Sequence, residues 1–192
     1  MEDVYFFYRS SREGAFLKDM LQGFRGFLVY DEGVLSILSK MRAENFIPPD
    51  TIFKFSVFGG YCSAAGAKVL ENLGADTMNP SSDVSLPILA SIRKAVNFPL
   101  DIYIIIVDSF GGMFRAYEAP EIIRVASPCY LKFEPGTSEG DIYKPWITED
   151  FHRELIRQKV KIASIVQEIV EEHAPDLKMS IKGPADLTLP KP

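Results

Sequence analysis

The sequence predicts an α/β protein built as a parallel (β/α) barrel-type fold, with about six strand–helix units in its 192 residues. Three observations carry this reading. Short β-rich runs alternate with longer stretches of helical period, the signature of a parallel sheet. Several runs carry polar residues on one face only, whereas strands of a sheet covered on both sides are apolar throughout. Polar residues also recur at the carboxyl ends of the strands, where parallel α/β folds bind ligands.

The first strand is expected at 4–9 and its helix at 14–22. The second strand, 26–31, leads to a helix over 34–45 that Pro48 and Pro49 stop. A third strand at 52–59 runs through Gly59 and Gly60 into a helix over 63–73, closed by Gly74. The fourth strand, 76–79, is short and precedes a helix over 86–96. The clearest strand is 100–108, because Ile102 to Val107 is the longest apolar run. A long connection then reaches a short helix at 120–126, with Pro120 at a favourable first position. The sixth strand is 130–134. In the last helix Thr148 offers an N-cap, and Glu149 and Asp150 complement the positive end of the dipole. Phe151, Leu155, Ile162, Val166, Ile169 and Val170 recur there at helical spacing as one buried stripe.

Six units fit two architectures. An open doubly wound sheet needs about five or six strands, and a closed barrel needs eight and typically about 250 residues. Length favours the open sheet; the one-sided polarity favours the barrel. Period-two geometry puts Lys54 and Ser56 on one face, opposite Phe53, Phe55 and Val57. It likewise puts Lys132 and Glu134 with Tyr130, opposite Leu131 and Phe133. A barrel lumen opening onto a site explains that separation, with about two units absent or supplied by another chain. One domain over 1–180 and a tail at 181–192 with three prolines complete the organisation.

Composition narrows the function. Apolar residues are 47% and charged residues 24%, ordinary for a globular chain. A net charge of −5 without a Lys/Arg stripe argues against nucleic acid. No apolar run approaches the roughly 20 residues of a membrane span, and acidic Glu2 and Asp3 replace the basic start of a signal peptide. A cytoplasmic protein is expected. Cys62 and Cys129 are too few for a disulfide framework or a four-cysteine cluster, so no iron–sulfur centre is expected.

The strand ends supply the candidate site: Arg9, Tyr30, Asp31, Ser56, Asn79, Asp108 and Glu134, with Lys54 and Lys132 slightly deeper. Lys132, Glu134, Lys54 and Asp108 are the candidate catalytic residues. A lysine in a dry lumen can act as a base or Schiff-base nucleophile; the bland alternative is a structural ion pair among Lys54, Lys132 and Glu134. Arg9, Ser56, Asn79 and Arg115 are the candidate substrate-binding residues, the arginines as anion clamps. The 108–118 connection, with Gly111 and Gly112, reads as a lid or as a packing or oligomer-contact loop. No metal is specified, although Asp31, Asp108, Glu134 and Asn79 are a donor set suited to Mg²⁺.

Other features read as structural. Cys62, in the turn from Gly59 to Ser63, is better explained as a buried inert thiol than as a nucleophile. Trp146 reads as a packing anchor. His152 and His173 both lie on the last helix, away from strand ends, which argues against a serine or cysteine triad.

The stretches Gly74-Ala-Asp-Thr-Met-Asn-Pro80, Leu86-Pro-Ile-Leu-Ala-Ser-Ile-Arg-Lys-Ala-Val96 and Arg124-Val-Ala-Ser-Pro-Cys-Tyr-Leu-Lys-Phe-Glu134 resemble the collagenase-like U32 peptidases over about half the chain. The resemblance implies a (β/α) barrel with hydrolase or nucleic-acid-modifying relatives. The family's histidine- and cysteine-rich motif has no match here, so no catalytic residue carries over. The expectations are an enzyme or enzyme subunit acting on a small anionic ligand, a truncated barrel completed by itself or a partner chain, or, third, a peptidase-like hydrolase.

Overall fold

The computed structural model describes residues 23–106, 111–133 and 144–180. The predicted strand at 4–9, the helix at 14–22 and the 181–192 tail lie outside these residues. The remaining five strands are all present: β1 Gly26–Val29, β2 Ile52–Phe55, β3 Thr77–Met78, β4 Leu100–Ile105 and β5 Cys129–Phe133. Five helices alternate with or follow them: α1 Glu32–Ala43, α2 Ala64–Asn72, α3 Leu86–Ala95, α4 Ala119–Ala126 and α5 Glu149–His173.

Local chemistry sets the boundaries. Asp31 Oδ1 accepts from the Val34 amide at 2.8 Å and starts α1, as Ser63 Oγ does for α2 and Thr148 Oγ1 for α5. Gly74 ends the α2 segment with φ +95°, and a Cβ there would sit 1.9 Å from Ser39 Oγ. Only glycine fits that approach.

All five strands pair in parallel and in chain order, β1-β2-β3-β4-β5. Each new strand therefore adds to the same edge, and right-handed crossovers place successive helices on one face. A doubly wound sheet must reverse its strand order; this one does not. The sheet has the sequential order of a (β/α) barrel rather than the reversed order of a doubly wound sheet, and it is not closed among the described residues.

The helix face holds the core. Phe53 and Phe55 of β2, Met78 of β3 and Leu100 and Ile104 of β4 pack against Leu35, Leu70, Leu89, Ile92, Ile122 and Val166 of the helices. Each such side chain contributes about 1.5–3 kcal/mol on burial. Arg42 ties α1 to the strand starts: it donates to Thr51 O at 2.6 Å and Gly74 O at 2.9 Å, pairs with Asp76 at 2.5 Å, and lies 4.7 Å over the Phe53 ring.

Four local expectations are corrected. The third strand stops at Phe55 and turns into a 3-10 segment, Val57–Gly59, which swings Val57 onto the opposite face with Tyr103 and Ile106. Cys62 is exposed, because the Gly60 turn (φ +70°) brings Tyr61 inward against Phe55 and leaves Cys62 outside. Trp146 is 73% exposed in the turn before α5, so it anchors nothing within the described residues. Phe151 is exposed at the start of α5, while Val166 is buried and Ile162, Ile169 and Val170 pack on the core.

Candidate functional site

The face of the sheet opposite the described helices, helix-free among the described residues, is lined by the alternate residues of the same strands. In-register pairing sets Leu28 beside Lys54 and Lys54 beside Thr77, then Asp101 beside Tyr130 and Tyr103 beside Lys132. The result is a polar floor laid on a parallel sheet, where an ordinary covered face would be apolar.

Its centre is Asp101, which is 2% exposed and forms an ion pair with the Lys54 ammonium. The side chain of Lys54 is 35% exposed, and its Nζ lies 5.1 Å over the Tyr130 ring. Across the floor Lys132 Nζ donates to the Tyr103 hydroxyl at 2.7 Å and stands 4.5 Å from that ring's centroid. Two lysine–tyrosine couples and one buried carboxylate thus share one surface.

Toward the carboxyl ends of the strands stand Ser56 and Asn79, both buried. Ser56 Oγ accepts from the Phe58 amide at 3.3 Å and caps the 3-10 segment. Asn79 is 1% exposed; its amide donates to the Asp101 carbonyl at 3.1 Å, and its Oδ1 is buried without a hydrogen-bond partner. Thr77 Oγ1 donates to Pro99 O at 2.8 Å and so joins β3 to the start of β4.

Lys54, Lys132, Ser56 and Asn79 therefore lie on or beside one face, as the sequence pattern anticipates. Arg9, Asp108 and Glu134 lie outside the described residues. Arg115 is elsewhere: it is buried, its guanidinium is shared between Glu118 at 2.8 and 2.5 Å and the Ser82 carbonyl at 3.2 Å, and it braces the connection after β4. That connection folds back on its strand through Arg115 N to Ile104 O at 2.9 Å and a Phe114–Ile105 bridge. Of the suggested magnesium donors, Asp31 is occupied capping α1 and Asn79 sits two strands away. No group of three or more potential metal-ligating side chains occurs among the described residues.

Asp101 and Tyr103 are the residues that sequence reasoning missed. Their signal was present: an acid and a phenol two apart inside the most apolar strand, in phase with each other and out of phase with Leu100, Ile102 and Ile104.

No family model matches the chain, and no curated protein does. Among solved structures it is similar to a U32 peptidase, with 18% identity and a TM-score of 0.42 over 77% of this chain and 55% of that one. It is also similar to nitroalkane oxidase from Streptomyces ansochromogenes, with 15% identity and a TM-score of 0.39 over 59% of this chain and 34% of the other. The chain thus spans about half of the first and a third of the second. No helix among the described residues is long and apolar enough to cross a membrane.

Proposed function

We propose that this chain is an enzyme, or one subunit of an enzyme, that holds a small anionic metabolite against the helix-free face of its sheet. The observation that carries the reading is the Lys54–Asp101 pair beside the Lys132–Tyr103 couple. Charged and phenolic groups on the floor of a parallel sheet cost stability that an apolar floor would not. A site for an anion accounts for that cost. In this reading Lys132 and Tyr103 form the proton-transfer couple, since geometry already places their heteroatoms in hydrogen-bond contact. Lys54, oriented by Asp101, contributes positive charge, and Ser56 and Asn79 orient the ligand at the strand ends. Arg9, Asp108 and Glu134 remain candidates for the same rim. The family resemblance to U32 peptidases supports no peptidase step, because none of its motif is present.

A second reading, a wall completed by a partner chain, is favoured by a different observation. Leu28 and Tyr30 are exposed at the β1 edge, and Leu28 continues the Lys54 row. Analytical ultracentrifugation beside a probe titration separates the two: anion binding that does not depend on the state of assembly supports the first, and binding seen only in an assembly supports the second.

Amide chemical-shift mapping with inorganic phosphate and succinate as probes tests the site. Shifts confined to residues 54–56, 77–79, 101–103 and 130–132 are expected. Shifts confined to the helix surfaces, or none at millimolar probe, would overturn the proposal.

A further inference from the structure

The outward face of α5 carries a charge pattern that a solitary helix would avoid. From Arg153 to Lys161 the exposed charged residues are Arg153, Arg157 and Lys161, four apart, with Glu154 at the edge of the face. From Ile162 to Glu172 every charged residue is acidic, namely Glu168, Glu171 and Glu172, all exposed. Like charges at i, i+4 destabilise a helix by a few tenths of a kcal/mol per pair, and acids in the last turns oppose the helix dipole. Partners inside the helix relieve only part of this. Glu149 takes Arg153 at 2.6 Å, Glu154, toward the edge of the face, reaches Arg157 at 3.9 Å, and the Gln167 amide donates to Glu171 at 2.8 Å without supplying charge.

We infer that this face is the contact between two copies of the chain, packed with their α5 helices antiparallel about a two-fold axis between Val160 and Ser164, on the side of the helix away from core-packed Ile162. At about 100° per residue, Arg153, Arg157, Ser164, Glu168 and Glu171 fall within a sector of about 60°. A two-fold axis there sets Arg153 opposite Glu171 of the second copy and Arg157 opposite its Glu168, each pair occurring twice. Val160, 62% exposed, meets Ser164 at the crossing, and exposed Ile156 and Ile165 flank it. The like-charge rows and the misplaced acids are then each faced by the opposite sign. The occupant is a second copy because the pattern is complementary to itself only when reversed. This inference stands apart from the site on the sheet, which lies behind the helix layer.

Sedimentation equilibrium on the full chain tests it, with far-UV circular dichroism to confirm that each variant stays helical. Wild type is expected to dimerise, and more weakly at 500 mM than at 50 mM salt, since exposed pairs are screened. Arg153→Glu with Arg157→Glu, or Glu168→Lys with Glu171→Lys, should each weaken the dimer roughly a hundredfold, from loss of four exposed pairs. Mixing the two variants should restore association, as should combining all four substitutions in one chain. A monomeric wild type, a dimer indifferent to either reversal, or reversals that the mixture fails to rescue would overturn the assignment.

Discussion

Replacing Lys54 by methionine while leaving Asp101 in place perturbs the floor of the site most informatively. The two partners are unequal: the carboxylate is 2% exposed and the lysine side chain 35%. Breaking a fully buried pair costs about 3–5 kcal/mol. Here the pair sits at the margin of solvent, so Lys54→Met is expected to cost roughly 2–3 kcal/mol, because it strands a buried charge. Asp101→Asn keeps the shape and frees an ammonium whose long stem can carry it to water. Its cost should be only about 1 kcal/mol. The double substitution should cost less than the sum of the two, as residues in direct contact do. Urea denaturation measures all three, read as a change of midpoint at constant slope. Equal losses for the two single substitutions, or a loss below about 0.5 kcal/mol for Lys54→Met, would refute the claim that Lys54 is the partner that compensates the buried Asp101 side chain.

Other predictions address the frame around the site. Arg42→Ala removes three charge-assisted hydrogen bonds and a ring contact, and should destabilise by roughly 2–4 kcal/mol. Arg42→Lys should recover less than half of that in the same urea titration, because an ammonium lacks the planar fork. Thiol titration of the native chain should show one fast equivalent from exposed Cys62 and a slow one from Cys129, whose thiol burial pushes up. Two equally fast thiols would contradict that packing. The Tyr61 hydroxyl donates to Glu32 at 2.7 Å, and that bond, with burial, raises its pKa from 10.0 to about 12. A value higher in the folded than in the unfolded state gives a contribution complete below pH 10 and lost as pH rises toward 12. Thermal melts between pH 9 and 11 should therefore converge for wild type and Tyr61→Phe, with the gap largest at the lower pH.

Much of the fold was legible in the sequence because its signals are local. The 100–108 run, the Thr148 cap and the 3.6-residue stripe through Ile162, Val166 and Ile169 each depend on residues within a few positions of one another. Strand order was legible only through one-sided polarity, which pointed to a barrel wall against the argument from length. What failed depended on turns. Val57 left its expected face because the chain tightens after Ser56, and Cys62 faced outward because Gly60 takes a left-handed conformation. Of the polar face that forms the candidate site, Lys54 and Lys132 stood out as lysines within strands. Asp101 did not, since its partner is 47 residues away and it stands at the second position of the most apolar strand, where a polar residue reads as the strand's edge. Arg115 misled for the opposite reason. An arginine in a glycine-containing loop resembles an anion clamp, and only the tertiary structure shows that Glu118 and Ser82 occupy it.

The central claim is that the helix-free face binds an anion through its lysines, and a thermal-shift titration of wild type beside Lys132→Ala and Lys54→Met tests it most directly. The ligands are small phosphorylated and carboxylated compounds. One present at about 100 times its dissociation constant adds about 2.7 kcal/mol, or several degrees for a chain of this size. The account predicts at least one such ligand for wild type, with its shift lost in Lys132→Ala and reduced in Lys54→Met. A shift of equal size in both variants, or none in wild type with any compound, would contradict it.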